Sequence, residues 1–119
     1  MSKANIKTGN AATDSKETRG WFVGHFIDES LGLCHSDDVE IKWGVHKAGE
    51  ERGEWMTGET RTALCILISG KFVAEFRDKT VTLEKPGDYV MWGKDVDHQW
   101  RVPEDTVTVT VRWPSVPTN

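Results

Sequence analysis

Nowhere does the sequence hold an apolar run long enough to cross a membrane, and its beginning lacks the apolar middle region of a secretory signal. No membrane partner is expected, and the expected location is cytoplasmic. A cationic stripe is missing too: 15 basic and 19 acidic residues are mixed along the chain for a net charge of -4. Nucleic-acid binding needs clustered positive charge, so nucleic acid is not expected as a partner. Cysteine is scarce. Cys34 and Cys65 stand alone without metal-type spacing, and in a reducing compartment both are expected to be free, buried thiols. No segment sustains the apolar stripe of an amphipathic helix, which argues against a helical fold. Tryptophan, by contrast, is plentiful, with six in 119 residues. Each brings a large apolar surface and one N–H that wants a partner when buried, which suits a barrel interior or a buried interface.

The length and 37% apolar content suit one compact domain. Met1 to Thr18 is polar apart from Ile6 and reads as a flexible tail (residues 1–18), with the folded domain spanning 19–119. Trp21 to Ile27 reads as a strand with Trp21, Val23, His25 and Ile27 on one face. Ser30 to Asp38 reads as a loop into which Leu31 and Leu33 tuck. Val39 to His46 alternates as a half-buried strand with Val39, Ile41, Trp43 and Val45 inward, which leaves His46 outward unless Gly44 forms a bulge. Lys47 to Thr62 is a long, charged, glycine-containing loop, the kind that carries function. Ala63 to Ser69, a glycine turn at Gly70 and Lys71 to Phe76 read as a hairpin. Thr80 to Leu83 follows as a short strand. Pro86-Gly87 suits a type II turn, Tyr89 to Trp92 a strand, and Val96, His98 and Trp100 one face of the next. The last strand runs from Thr106 to Trp113 with Val107, Val109, Val111 and Trp113 on one face. About eight short strands separated by turns predict an all-β sandwich or barrel.

From Trp21 to Trp113 the chain resembles a small, single-domain cupin, an RmlC-like β-jelly-roll. The second cupin motif is matched by Gly87 in its Pro-Gly-Asp turn and by His98 eleven residues later. Gly93, Asp95 and Val102 stand where that motif usually has proline, glycine and asparagine. Of the first motif Gly70 alone is kept: the glutamate position falls on Ala63, and the two histidine positions fall on Met56 or Thr57 and on Gly58 or Glu59. The resemblance implies a jelly-roll barrel with His98 pointing inward, yet three of the four usual metal ligands are replaced.

His98 is thus the candidate catalytic or ligating residue, with structural hydrogen bonding as its simpler role. A small organic ligand would be met by His98, Trp100, Glu59, Arg61, Trp43 and Trp92, with Met56 or Met91 nearby, because small-molecule pockets are mostly apolar with a few placed polar groups. No metal is expected, since a first-row ion wants three or more protein ligands; a divalent metal, if bound, would take His98, Glu59 and His46. His25 reads as a satisfied core or interface histidine, and the Glu50, Glu51, Arg52 and Glu54 cluster as a solvated loop. Three functions are compatible with these residues. The first is a cupin-like protein holding a small organic ligand, the second a metal-dependent dioxygenase or isomerase using His98, and the third a structural or regulatory dimer with a closed barrel. More apolar faces are present than one small barrel hides, so a homodimer is expected.

Overall fold

The β-branched and alternating runs become strands, as their preference for a pleated, half-buried surface dictates. A computed structural model describes residues 5–117. Eight strands follow in chain order: β1 (Trp21–Val23), β2 (Glu40–His46), β3 (Thr62–Ser69), β4 (Phe72–Phe76), β5 (Thr80–Leu83), β6 (Tyr89–Trp92), β7 (His98–Arg101) and β8 (Thr106–Trp113). They form a five-stranded sheet ordered β1-β2-β8-β3-β6 and a three-stranded sheet ordered β5-β4-β7. All pairings are antiparallel. The chain is the all-β fold that the sequence predicts.

Turn chemistry explains where the chain reverses. The Asp88 N–H donates to the Lys85 carbonyl at 2.9 Å with Gly87 at φ 96°, the type II turn expected of Pro86-Gly87. At Gly70 the chain does something the sequence does not announce. β3 and β4 do not pair as a hairpin; they belong to different sheets, and Gly70 is where the chain passes between them. Its φ is 91°, and a Cβ there would run into the Asp105 carbonyl and Thr106. The Lys71 N–H then donates to Thr106 Oγ1 at 3.1 Å, fixing the crossing.

The face of β2 is reversed relative to the sequence reading, and the valines of β8, which share one face as read, line up with its outward side. Glu40, Gly44 and His46 are buried, whereas Val45 is 61% exposed. The register Glu40↔Arg112, Lys42↔Thr110, Gly44↔Thr108 and His46↔Thr106 places the polar side of both strands inward. Ile41↔Val111, Trp43↔Val109 and Val45↔Val107 therefore face out, so Trp43 is not an interior residue. His46 turns inward with no bulge, its strand pairing without a break. Gly44 instead makes room: a Cβ there would lie 2.8 Å from Thr108 Oγ1 and 3.0 Å from His46 Nε2.

Three further expectations change. Residues 1–4 lie outside the described chain, but Ala11–Asp14 forms a helical turn capped by Asn10, whose side chain accepts from the Thr13 N–H at 3.0 Å. Ser15 is 2% exposed, and the Trp43 N–H donates to the Gly20 carbonyl at 2.8 Å. The residues from Ala11 to Gly20 are thus shaped and tied to β2 rather than being a bare tail. The first strand ends at Val23, short of Ile27. Leu31 and Leu33 sit in a 3-10 segment, Glu29–Cys34, and are about half exposed instead of tucked in.

The apolar core gathers Cys65, Leu67, Phe72, Ala74, Leu83, Val90 and Val102, with Phe76, Val81, Trp92 and Trp100 packed against it. Both cysteines are free; Cys65 is buried, but Cys34 is only partly so.

Candidate binding site

The inward rows of the five-stranded sheet build one wall of a cavity. From β6 across β3 and β8 to β2, one row reads Trp92, Ala63, Arg112, Glu40 and the next Val90, Cys65, Thr110, Lys42. Strands β4 and β7 supply the facing wall with Phe72, Ala74, Phe76, His98 and Trp100, and the loop after β2 closes one side. That loop is hydrogen-bonded along the outer edge of β7: the Met56 N–H donates to the His98 carbonyl at 2.7 Å, the His98 N–H to the Met56 carbonyl at 3.1 Å, and the Arg52 N–H to the Trp100 carbonyl at 3.0 Å. The cavity, which opens to solvent, is about 680 Å³, within the range of small-molecule pockets.

Aromatic rings line part of this largely polar interior. Trp92 lies 4.7 Å from the His98 ring and 5.8 Å from Phe76, while Trp100 lies 4.6 Å from His46 and 5.8 Å from Phe72, centroid to centroid. His98 Nδ1 is 3.1 Å from the Val96 carbonyl. Since a carbonyl only accepts, Nδ1 carries the proton and Nε2 keeps its lone pair. Burial lowers the His98 pKa against the opposing pull of that carbonyl and of Glu59, so the ring is neutral near pH 7. His46 is lowered by burial and then by the Lys42 charge, while Glu50, 3.5 Å from its Nδ1, partly restores it.

At one end of the cavity the charges lock together. Arg61 Nε donates to Glu59 Oε1 at 2.6 Å, its Nη2 to Glu59 Oε2 at 3.1 Å and its Nη1 to Glu40 Oε1 at 2.6 Å. Arg112 Nη2 reaches the same Glu40 oxygen at 2.5 Å, and the Ser115 hydroxyl donates to the other at 2.8 Å. Glu40 is fully buried. Burial alone would raise the Glu59 pKa, but the hydrogen bonds and charge of Arg61 outweigh it and hold the carboxyl below its usual range. Charges this deep persist only when paired and hydrogen-bonded, and each removes its partner's cost. Ser115 also lies 2.7 Å from His25 Nδ1, which satisfies that histidine as the sequence suggests.

Of the residues singled out in the sequence, His98, Trp100, Trp92, Glu59, Arg61, His46 and Met56 come together around the cavity. Trp43 does not, and Met91 is 51% exposed on the outside. Arg52, assigned to a solvated loop, lines the cavity. Sequence reasoning missed Glu40, Lys42, Cys65, Thr108, Thr110 and Arg112. The available signal was the polar alternation of β2 and β8: Glu40 and Lys42 two apart on one strand, Thr108, Thr110 and Arg112 on another.

The two-sheet antiparallel fold is shared with known structures. A protein of unknown function from Rhizobium leguminosarum superposes with a TM-score of 0.63 at 19% identity, over 92% of this chain and 97% of that one. KdgF from Halomonas gives 0.61 at 19% identity over 69% and 75%. A cupin-2 domain containing protein from Shewanella frigidimarina gives 0.54 at 20% identity over 67% and 74%. The chain has a small cupin-type fold. At these identities the likeness concerns fold alone, and neither a family model nor a curated protein sequence matches the chain.

The residues of this cupin-type barrel do not suit the metal that the cupin resemblance raises. Among the described residues no three His, Cys, Asp or Glu side chains converge as ligands. Both Glu59 oxygens are taken by Arg61, His46 faces Glu50, and Ala63 offers no donor. The Cys65 thiol is pushed up to about 11 by burial, which keeps it protonated and a poor ligand.

Proposed function

We propose that the chain binds a small organic molecule in the barrel cavity without a transition metal, the ligand's planar part lying against Trp92 and Trp100. The supporting observation is a cavity of about 680 Å³ walled by aromatic rings, a space that a barrel packed shut for structure alone would have filled. Both cysteines are free, which suits a reducing compartment, and a cytoplasmic location is part of this reading. Titration with neutral 2-naphthamide, followed by NMR of the indole N–H groups, tests it. Trp92 and Trp100 are expected to shift while Trp55 and Trp113 stay still; shifts confined to Trp55 or Trp113 would sink the reading. An acid-base role for His98 is the second reading, favoured by its neutral ring anchored at Nδ1.

The same reading includes a homodimer, with a second copy covering the outer face of the five-stranded sheet. Val45, Ile68, Tyr89, Met91 and Trp113 are 38–64% exposed there, around the half-buried Ile41, Trp43, Leu64, Ile66, Val107, Val109 and Val111. Five strands give a face about 20 Å by about 25 Å. Two such faces would bury about 1,000 Å², the size at which specific association begins.

A further inference from the structure

Lys42 lies in the inward row beside Thr110 and lines the cavity. Its ammonium stands 5.7 Å from the centroid of the Trp21 ring, and the ion pairs among the described residues do not include it. Glu40 and Glu59 cancel Arg61 and Arg112 in the locked group, and Glu50, which feels the Lys42 charge, makes its ion pair with His46 and not with Lys42. Arg19, which also lines the cavity, likewise has no ion pair among those described. An ammonium drawn out of water without a counter-charge is costly. Burial, followed by the charges of Arg112 and Arg19, lowers the Lys42 pKa, as expected for a cation among cations.

The rest of the cavity lining points the same way. Among the described residues, the buried side-chain nitrogens without a hydrogen-bond partner are Trp92 Nε1 and Arg112 Nε. Both side chains line the cavity, and both flank Ala63, one on each neighbouring strand. Ala63 has no group to accept from them. Both of these nitrogens are closed to solvent, whereas Lys42, Arg19 and Arg52 line the cavity beside Glu59, the one carboxylate among its described lining residues, and Glu59 is taken by Arg61; a cationic lining of this kind is answered by acceptor oxygens carrying negative charge.

We propose that the ligand is an organic oxyanion, a planar carboxylic acid or phosphate ester, whose charged group is held by Lys42 on the polar wall of the cavity. This rests on the cavity reading above and adds the chemical class. The charged group meets the polar inward side of β2 and the ring system meets Trp92 and Trp100.

The test uses the whole chain with three probes sharing one ring system: 2-naphthoate, 2-naphthyl phosphate and neutral 2-naphthamide, titrated at low ionic strength near pH 7 with the Trp92 indole N–H as reporter. At least one acid is expected to bind about tenfold or more tighter than the amide, to move the Trp92 signal and to weaken with added salt; the ratio of the two acids distinguishes carboxylate from phosphate. Lys42→Met should erase the preference over the amide, and Lys42→Arg should keep it. If amide and acids bind equally, the oxyanion assignment falls while the cavity reading stands. If no probe moves Trp92 or Trp100, the cavity reading falls with it. The comparison of probes on the unaltered chain decides the matter even where Lys42→Met fails to fold.

Discussion

His46 and His98 are both held below the ordinary imidazole value of 6.5 because burial disfavours their charged forms. Unfolded, each takes a proton near 6.5; folded, each resists it. Their contribution to stability is therefore complete above pH 6.5 and is lost as pH falls from there toward the folded values. Glu59 adds a loss in a lower window, since Arg61 keeps its folded pKa under the ordinary 4.5. Urea midpoints measured from about pH 7.5 downward should fall in two steps, the first centred on the histidine range. His98→Gln should flatten that first step, and an unchanged slope would place the imidazole in solvent. The same burial that makes these histidines pH-sensitive makes His98 neutral where a ligand would meet it.

At the scale of elements, the crossing at Gly70 is the most exposed to a single change. Alanine there must adopt φ near 91° and push its Cβ against the Asp105 carbonyl and Thr106, so Gly70→Ala should cost about 2 kcal/mol. Urea denaturation reads this directly, and a loss within error of zero would mean that β3 and β4 can be joined another way. Strand positions were legible in the sequence because β-branched alternation and Pro-Gly or glycine turns act locally. His98 and Trp100 were legible as a pair because they share a face two residues apart. The direction of β2 and β8 was not. Alternation supplies a period of two but no sign, and the usual assignment of apolar side chains to the interior fails where the interior is a polar cavity and the outer sheet face is apolar. That one inversion displaced Trp43, brought in His46, and hid Glu40, Lys42 and Arg112. The lost hairpin has a comparable cause, since a turn glycine permits a reversal without specifying which sheet receives the next strand.

For the molecule as a whole, the inverted sheet supplies the apolar outer face on which the proposed dimer rests. Light scattering at micromolar concentration should give twice the 13.4 kDa chain mass, and Val109→Lys, at the middle of the outer face, should halve it while leaving the circular dichroism intact. A monomer mass for the unaltered chain would end that proposal. The loop along β7 has a consequence in time rather than in space. The His98 and Val102 amides donate to the Met56 and Glu50 carbonyls of that loop, whereas the alternate amides, Gln99 and Arg101, are turned toward β4. When the loop lifts, the first pair opens to solvent and the second stays closed. Deuterium uptake at His98 and Val102, set against Gln99 and Arg101, is therefore a clock internal to one five-residue stretch of chain, ticking each time that side of the barrel comes undone.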